Sequence, residues 1–192
     1  MSVSLGKGQR VSLTKDRPSL KKVYACLGWD VNRYDGEDFD LDASAFMLTD
    51  ANKVRKDEDF IFYNNLSHST GAVAHAGDNR TGSGDGDDEV ITIDLSQVPD
   101  TYSQIAITVT IHLADVRAQN FGMVDNAYVR LVDAENDEEI LRYDLSEDYD
   151  LETAIEFARI YKHNGEWKFK AVGSGYNGGL AAMCAKYGID AE

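Results

Sequence analysis

Cysteine is scarce: Cys26 sits in an apolar run, Cys184 lies near the C-terminal end, and there are no others. Neither belongs to a CxxC or Cys/His cluster, which leaves no basis for a disulfide framework or a thiolate zinc site. Both thiols are expected to be reduced and buried as small hydrophobes. No stretch approaches the ~20 apolar residues needed to span a bilayer. Met1 to Lys7 lacks the charged region, apolar stretch and cleavage site of a secretory signal, so the expected location is cytoplasmic. Basic residues are also few: 19 Lys and Arg stand against 34 Asp and Glu, a formal charge of −15 at pH 7. Such a field repels nucleic-acid phosphates, anionic lipid and small oxyanions, and concentrates divalent cations. GxSxG is absent and His68, His75, His112 and His163 are scattered, each expected to be a surface or structural residue rather than a base.

The 192 residues suit a single domain, 1–192, that buries roughly 70% of its unfolded surface without help from a disulfide or metal. Apolar residues recur mostly at period two and in short bursts, which predicts strands. The clearest are Val23 to Trp29, Leu41 to Leu48, Phe60 to Tyr63, Val90 to Leu95, Ile105 to Leu113, Tyr128 to Val132 and Ile140 to Leu145. Ala154 to Lys162 and Trp167 to Val172 flank an Asn-Gly turn signal at His163 to Glu166 and predict a hairpin. Leu180 to Tyr187, bounded by Gly178-Gly179 and Gly188, predicts a short helix, with a further helical turn around Val116 to Phe121. Many short strands punctuated by Gly, Asn and Asp predict an all-β fold, a two-sheet antiparallel β-sandwich with a few short helices.

Gly77 to Glu89 packs four Asp, one Glu and four Gly into one connection. Carboxylates this crowded repel one another unless a counter-ion sits among them. Calcium takes six to eight oxygens at about 2.3–2.6 Å, and glycines let a backbone turn tightly enough to aim carbonyls inward. The candidate ligands here are Asp78, Asn79, Asp85, Asp87, Asp88 and Glu89, with Gly82 through its backbone. Asp78 to Glu89 has the length of an EF-hand loop but fails that pattern. Arg80, Gly82 and Ser83 stand at its third, fifth and sixth positions, and no helix precedes it. Asp30, after Gly28-Trp29, and the pair Asp40 and Asp42 form a second oxygen-rich group. On a strand, Asp40, Asp42 and Ser44 share one face while Leu41, Ala43 and Ala45 take the core face. Asn64 and Asn65, and Asp144 with Glu147, follow apolar runs at strand ends, where loops of a sandwich gather. The competing interpretation is that the acid is a solvated surface. For Trp29, Tyr34 and Phe39, core packing accounts for the residues at least as well as a place at a site.

These residues carry a resemblance over essentially the whole chain. Gly28-Trp29-Asp30, Phe39-Asp40-Leu41-Asp42-Ala43-Ser44, Phe62-Tyr63-Asn64-Asn65, Gly77-Asp78-Asn79 with Thr81-Gly82, Gly84-Asp85-Gly86-Asp87-Asp88-Glu89, Arg142-Tyr143-Asp144-Leu145 and Gly165-Glu166-Trp167-Lys168-Phe169 follow the order seen in the TerD family of tellurite-resistance and general stress proteins. Among its members the chain is most similar to the TerD and TerE types. The resemblance implies a β-sandwich binding two calcium ions through the acidic motifs. It also implies a place among genes for resistance to tellurite, phage and colicins, and protein partners from the same system, some of them membrane-embedded. Arg33-Tyr34 and Ser67 to His75 are its departures, expected to lie in loops where any sequence could serve.

Three functions compete. A calcium-dependent scaffold or sensor is expected first. An interaction module with calcium-ordered loops, bridging partner proteins or a membrane, is compatible with it. A hydrolase using Asp87 and Asp88 as acid and base would need a cleft and separated pKa values, and the expectation is that the chain is not an enzyme. Direct tellurite reduction would need reactive thiols, for which two isolated cysteines are poor material.

Overall fold

Alternation in the sequence becomes alternation across two sheets. The computed structural model describes residues 2–30, 38–76, 86–145 and 149–190. Among these residues twelve strands run in chain order: β1 (Val3–Leu5), β2 (Arg10–Ser12), β3 (Lys22–Gly28), β4 (Leu41–Leu48), β5 (Phe60–Ile61), β6 (Val73–His75), β7 (Glu89–Asp94), β8 (Gln104–Ile111), β9 (Tyr128–Asp133), β10 (Glu139–Asp144), β11 (Ala154–His163) and β12 (Glu166–Tyr176). A four-residue helix α1 (Ala114–Arg117) and a longer α2 (Gly179–Tyr187) complete the set, with short 3-10 turns at Asp57–Asp59 and Phe121–Met123. One sheet has the order β1-β10-β9-β3-β7-β6 and the other β2-β12-β11-β8-β4-β5. Every pairing is antiparallel except β1 with β10, which is parallel. The expected sandwich of short strands is therefore the observed fold.

The inward faces are the apolar members of each alternation. Val23, Ala25 and Leu27 of β3 meet Leu41, Ala43, Ala45 and Met47 of β4, with Ile105, Ile107 and Val109 of β8, in one continuous buried cluster. A second cluster lies on the outer face of the other sheet, where α2 lays Met183, Cys184 and Tyr187 over Phe46, Leu48, Phe60, Ala106 and Ala154. The spacing Leu180, Met183, Cys184, Tyr187 puts four side chains on one helical stripe, and that stripe is what the helix buries. Rings of Phe46 and Phe60 stack at 4.3 Å and those of Phe60 and Phe62 at 4.2 Å. Because both faces of β4 are covered, all eight of its residues are buried.

The β11–β12 hairpin turns at Asn164 (φ 53°) and Gly165 (φ 77°), the left-handed pair an Asn-Gly turn requires. Several expectations need correction. Phe60 to Tyr63 is a strand only to Ile61, since Phe62 bridges back to Asn65 across a tight turn. The helical turn expected around Val116 to Phe121 is two pieces, α1, which overlaps its start, and the 3-10 turn Phe121–Met123 at its end. β1, β2 and β6 have no expected counterpart. Ser67 to His75 is no interchangeable loop: Ala72 and Val73 are fully buried, and His68 and His75 are 4% and 6% exposed. Among the described residues no helix is long and apolar enough to cross a membrane.

An acidic end of the sandwich as candidate metal centre

Antiparallel order brings chain ends together. The ends of β3, β6 and β10 and the starts of β7 and β9 share one end of the first sheet. Asp30 follows β3, Asp87 and Asp88 precede β7, Asp125 and Asn126 precede β9, and Asp144 closes β10. The starts of β4 and β11 and the end of β8 likewise share one end of the second sheet. A contact between Glu89 and Ala43 puts those two ends at the same end of the sandwich.

Each acid has a different setting. Trp29 N–H donates to Asp88 Oδ2 at 2.9 Å, and Asp88 N–H donates to Leu27 O at 2.8 Å, which pins Asp88 against the end of β3. Burial pushes the Asp88 carboxyl above its usual range; Trp29 N–H opposes this, and the neighbouring charges of Asp87 and Asp30 add to it. Asp30 accepts from Asn126 Nδ2 at 2.7 Å and donates its N–H to Asp125 O at 3.0 Å. Asp87 is clamped: Arg130 Nε and Nη2 donate to its two oxygens at 2.8 and 2.6 Å, and Tyr128 Oη donates at 2.9 Å. Burial alone would raise that carboxyl, but the Arg130 and Tyr128 hydrogen bonds hold it below the ordinary value. Gly28 makes this clamp possible, because a Cβ there would lie 2.5 Å from Tyr128 Cζ and Oη. Tyr128 thus rests on bare backbone and reaches Asp87.

Glu89 faces inward and is 2% exposed. It accepts the N–H of Ala43, and His75 Nε2 donates to Ala43 O at 3.1 Å while lying 3.5 Å from Glu89 Oε2. Strand β5 pairs with β4 only at Ala45 and Phe46, so the backbone of Ala43 lies beyond that pairing and is satisfied by these two side chains from the other sheet. Asp40 and Asp42, 9% and 8% exposed, have different neighbours: Arg117 is 3.8 Å from Asp40, and the His112 ring is 3.7 Å from Asp42. Asn65 donates to Phe60 O at 2.6 Å and Glu58 O at 3.3 Å, closing the turn in which Asn64 is exposed. Asp144 is exposed and accepts from Arg142 Nε at 2.8 Å. Asp78, Asn79, Gly82, Asp85 and Glu147 lie outside the described residues, as does Tyr34. Trp29 and Phe39 pack in the main core.

The structure therefore gathers Asp30, Asp87 and Asp88, gives Glu89 an inter-sheet role, and places Arg117 near Asp40 and His112 near Asp42. Among the described residues, no group of three or more His, Cys, Asp or Glu side chains is arranged to hold a metal ion. Asp30 and Asp88 beside Asp87 offer carboxylate oxygens of the kind a hard cation such as calcium takes, and in the sequence the Asp-Gly-rich stretch runs up to Gly86. Arg130, Tyr128 and Asn126, which hold two of these acids, escape sequence reasoning. Period two places Tyr128 and Arg130 on a polar face, but only the register of β9 against β3, and of β3 against β7, sets them beside Asp87.

Twin six-stranded sheets with an acid-lined end define a β-sandwich class. The family model for the TerD domain matches residues 1–187, and the chain belongs to that family. It is 59% identical to "Tellurium resistance protein TerD" of Serratia marcescens over the full length of both chains. It is 55% identical to "General stress protein 16U" of Bacillus subtilis, covering 98% of each. Among solved structures, a homologue of telluride resistance protein (TerD) from Streptomyces coelicolor superposes with a TM-score of 0.71 at 22% identity, covering 86% of this chain and 95% of that one; it supports the fold alone.

Proposed function

We propose that this chain is a non-catalytic, calcium-binding stress-response protein that contributes to tellurite resistance as a calcium-dependent scaffold or sensor. The names of its relatives support the resistance and stress role. The observation that carries the calcium reading is the convergence of Asp30, Asp87 and Asp88, with Asp88 raised by burial and by its two acidic neighbours. A divalent ion would relieve that repulsion, while Asp87 stays with Arg130 and shapes the field. Asp30 and Asp88 would supply ligands, completed by oxygens of the connection before Gly86. Both thiols are buried, and Cys26 is pushed up to about 12 by burial and by Asp87, so neither is a reactive thiolate at neutral pH.

Calorimetry on chelator-stripped protein tests the reading. Calcium is expected to bind in the micromolar range or tighter, with magnesium much weaker. At a hundredfold excess over Kd it should stabilise the fold by about 2.7 kcal/mol. Asp88→Asn and Asp30→Asn should each weaken binding roughly tenfold or more. Absence of heat and of any thermal shift below about 1 mM calcium ends the proposal.

A second reading, the interaction module, has its own support. Leu113, Val116, Met123 and Leu151 are 53%, 81%, 42% and 71% exposed, and all four lie on connections at the acidic end. Partner proteins of the same resistance system would dock there. Hydrogen exchange should then show protection across 113–123 when calcium is added; unchanged exchange in calcium-saturated protein argues against it.

A further inference from the structure

We propose that the outer face of β2, β12 and β11 is a binding site for a small phosphorylated organic molecule, separate from the acidic end. Arg10 stands directly opposite Lys170, and Lys170 directly opposite Arg159, so three cations form one row across three neighbouring strands. Their chain neighbours Val11, Phe169, Ala171, Ala158 and Ile160 face the core, which sends all three cations outward together. Like charges directly opposite each other destabilise a sheet, and a chain with 34 acids and 19 bases has ample acid to separate them.

The row lines a groove of about 410 Å³ bounded by α2, a volume suited to a small organic ligand and far larger than one phosphate needs. Part of the groove is already braced. Glu156, 2% exposed, accepts from Arg159 Nε at 2.8 Å and from Lys186 Nζ at 2.7 Å. Arg159 is tied further to Asn52 at 2.6 Å and Gln104 at 2.9 Å. Glu156 balances one of the two cations it holds. Arg10 and Lys170 form no ion pair among the described residues. An oxyanion between them would gain two charge-assisted contacts beside a prearranged guanidinium. Tyr161, Val172 and Tyr176 add apolar and aromatic wall for the organic part. The overall charge of −15 works against any anion, and a long polyanion meets more of it than a small ligand held beside three cations.

The test titrates the full chain in calcium-free buffer at about 0.15 M salt with phenyl phosphate and with inorganic phosphate, followed by amide NMR shifts. Saturable shifts confined to β2, β11 and β12 are expected, with phenyl phosphate the tighter ligand. Arg10→Ser with Lys170→Ser should weaken binding roughly tenfold or more and leave the melting temperature unchanged or higher, since the cross-strand repulsion is gone. Lys15→Ser, an exposed cation outside the groove, should change neither. No saturable shift up to about 10 mM, an equal loss in Lys15→Ser, or a lower melting temperature in the double variant overturns the proposal. Tighter binding of an RNA oligonucleotide than of phenyl phosphate overturns it as well.

Discussion

Gly28→Ala adds a single methyl group at the point where β3 supports Tyr128. The new Cβ would sit 2.5 Å from Cζ and Oη and 2.6 Å from Cε1 of that ring. The ring is also held by the Arg142 guanidinium, 3.8 Å from its centroid, and by its hydrogen bond to Asp87. Retreat therefore breaks contacts as well as moving atoms. Overpacking costs about 1–3 kcal/mol and weakening of the partly exposed hydroxyl bond about 1 kcal/mol, so a total of roughly 2–4 kcal/mol is expected. At about 2–4 °C per kcal/mol for a chain of this size, the melting temperature should fall by roughly 4–16 °C in a thermal scan. A second background isolates the cause. With Tyr128→Ala already present the methyl has no ring to meet, and the added cost should shrink to within about 0.5 kcal/mol. A Gly28→Ala cost below that value in the natural background, or an undiminished cost beside Tyr128→Ala, refutes the reasoning.

Two further perturbations probe buried acids. Glu156 is held below its ordinary value; burial opposes this, while Arg159, Lys186 and Tyr187 overcome it. A carboxyl lowered by folding stabilises above its unfolded pKa, about 4.3, and that stabilisation disappears as pH falls through the lowered folded value. Glu156→Gln should therefore cost about 2 kcal/mol at pH 7, less than a wholly buried pair because Arg159 and Lys186 keep 17% and 23% exposure. Urea melts should show the gap to wild type closing below pH ~4; a pH-independent gap would count against the ion pairs. Asp59 is fully buried and accepts from the N–H groups of Arg55 and Lys56 at 2.8 and 3.2 Å and from Tyr102 Oη at 2.7 Å, with His68 Nε2 at 3.2 Å. Asp59→Ala strands four partners and should cost roughly 3–5 kcal/mol by denaturant melt, whereas Tyr102→Phe removes one bond and should cost about 1 kcal/mol. Equal costs for the two variants would show that the acid is not the hub of that cluster.

Period-two alternation by itself determined β3, β4, β7, β8, β9 and β10 to within a few residues, since each turns an apolar face to the core along six or more residues. The β11–β12 hairpin was equally legible, because Asn164 and Gly165 tolerate the left-handed backbone the turn demands. Local signals failed at β1, β2 and β6, three residues each, whose existence depends on partners far along the chain: Leu141 to Tyr143, Lys168 to Lys170 and Ile91 to Ile93. Ser67 to His75 passed for interchangeable loop for the same reason, as nothing adjacent in sequence announces that His68 reaches Asp59 or that His75 reaches Ala43.

The crowding of carboxylates around Gly77 to Glu89 was plain from composition, but the separate fates of those acids were not. Tertiary structure alone decided that Asp87 belongs to Arg130, that Glu89 staples the two sheets, and that Asp40 lies near Arg117 while Asp42 lies near His112. Sequence order determines which side chains alternate and where a chain can turn, because those depend on neighbours one or two residues away. Which charge meets which depends on strand register, set by packing two whole faces against each other, and the row Arg10, Lys170 and Arg159 comes into being only there.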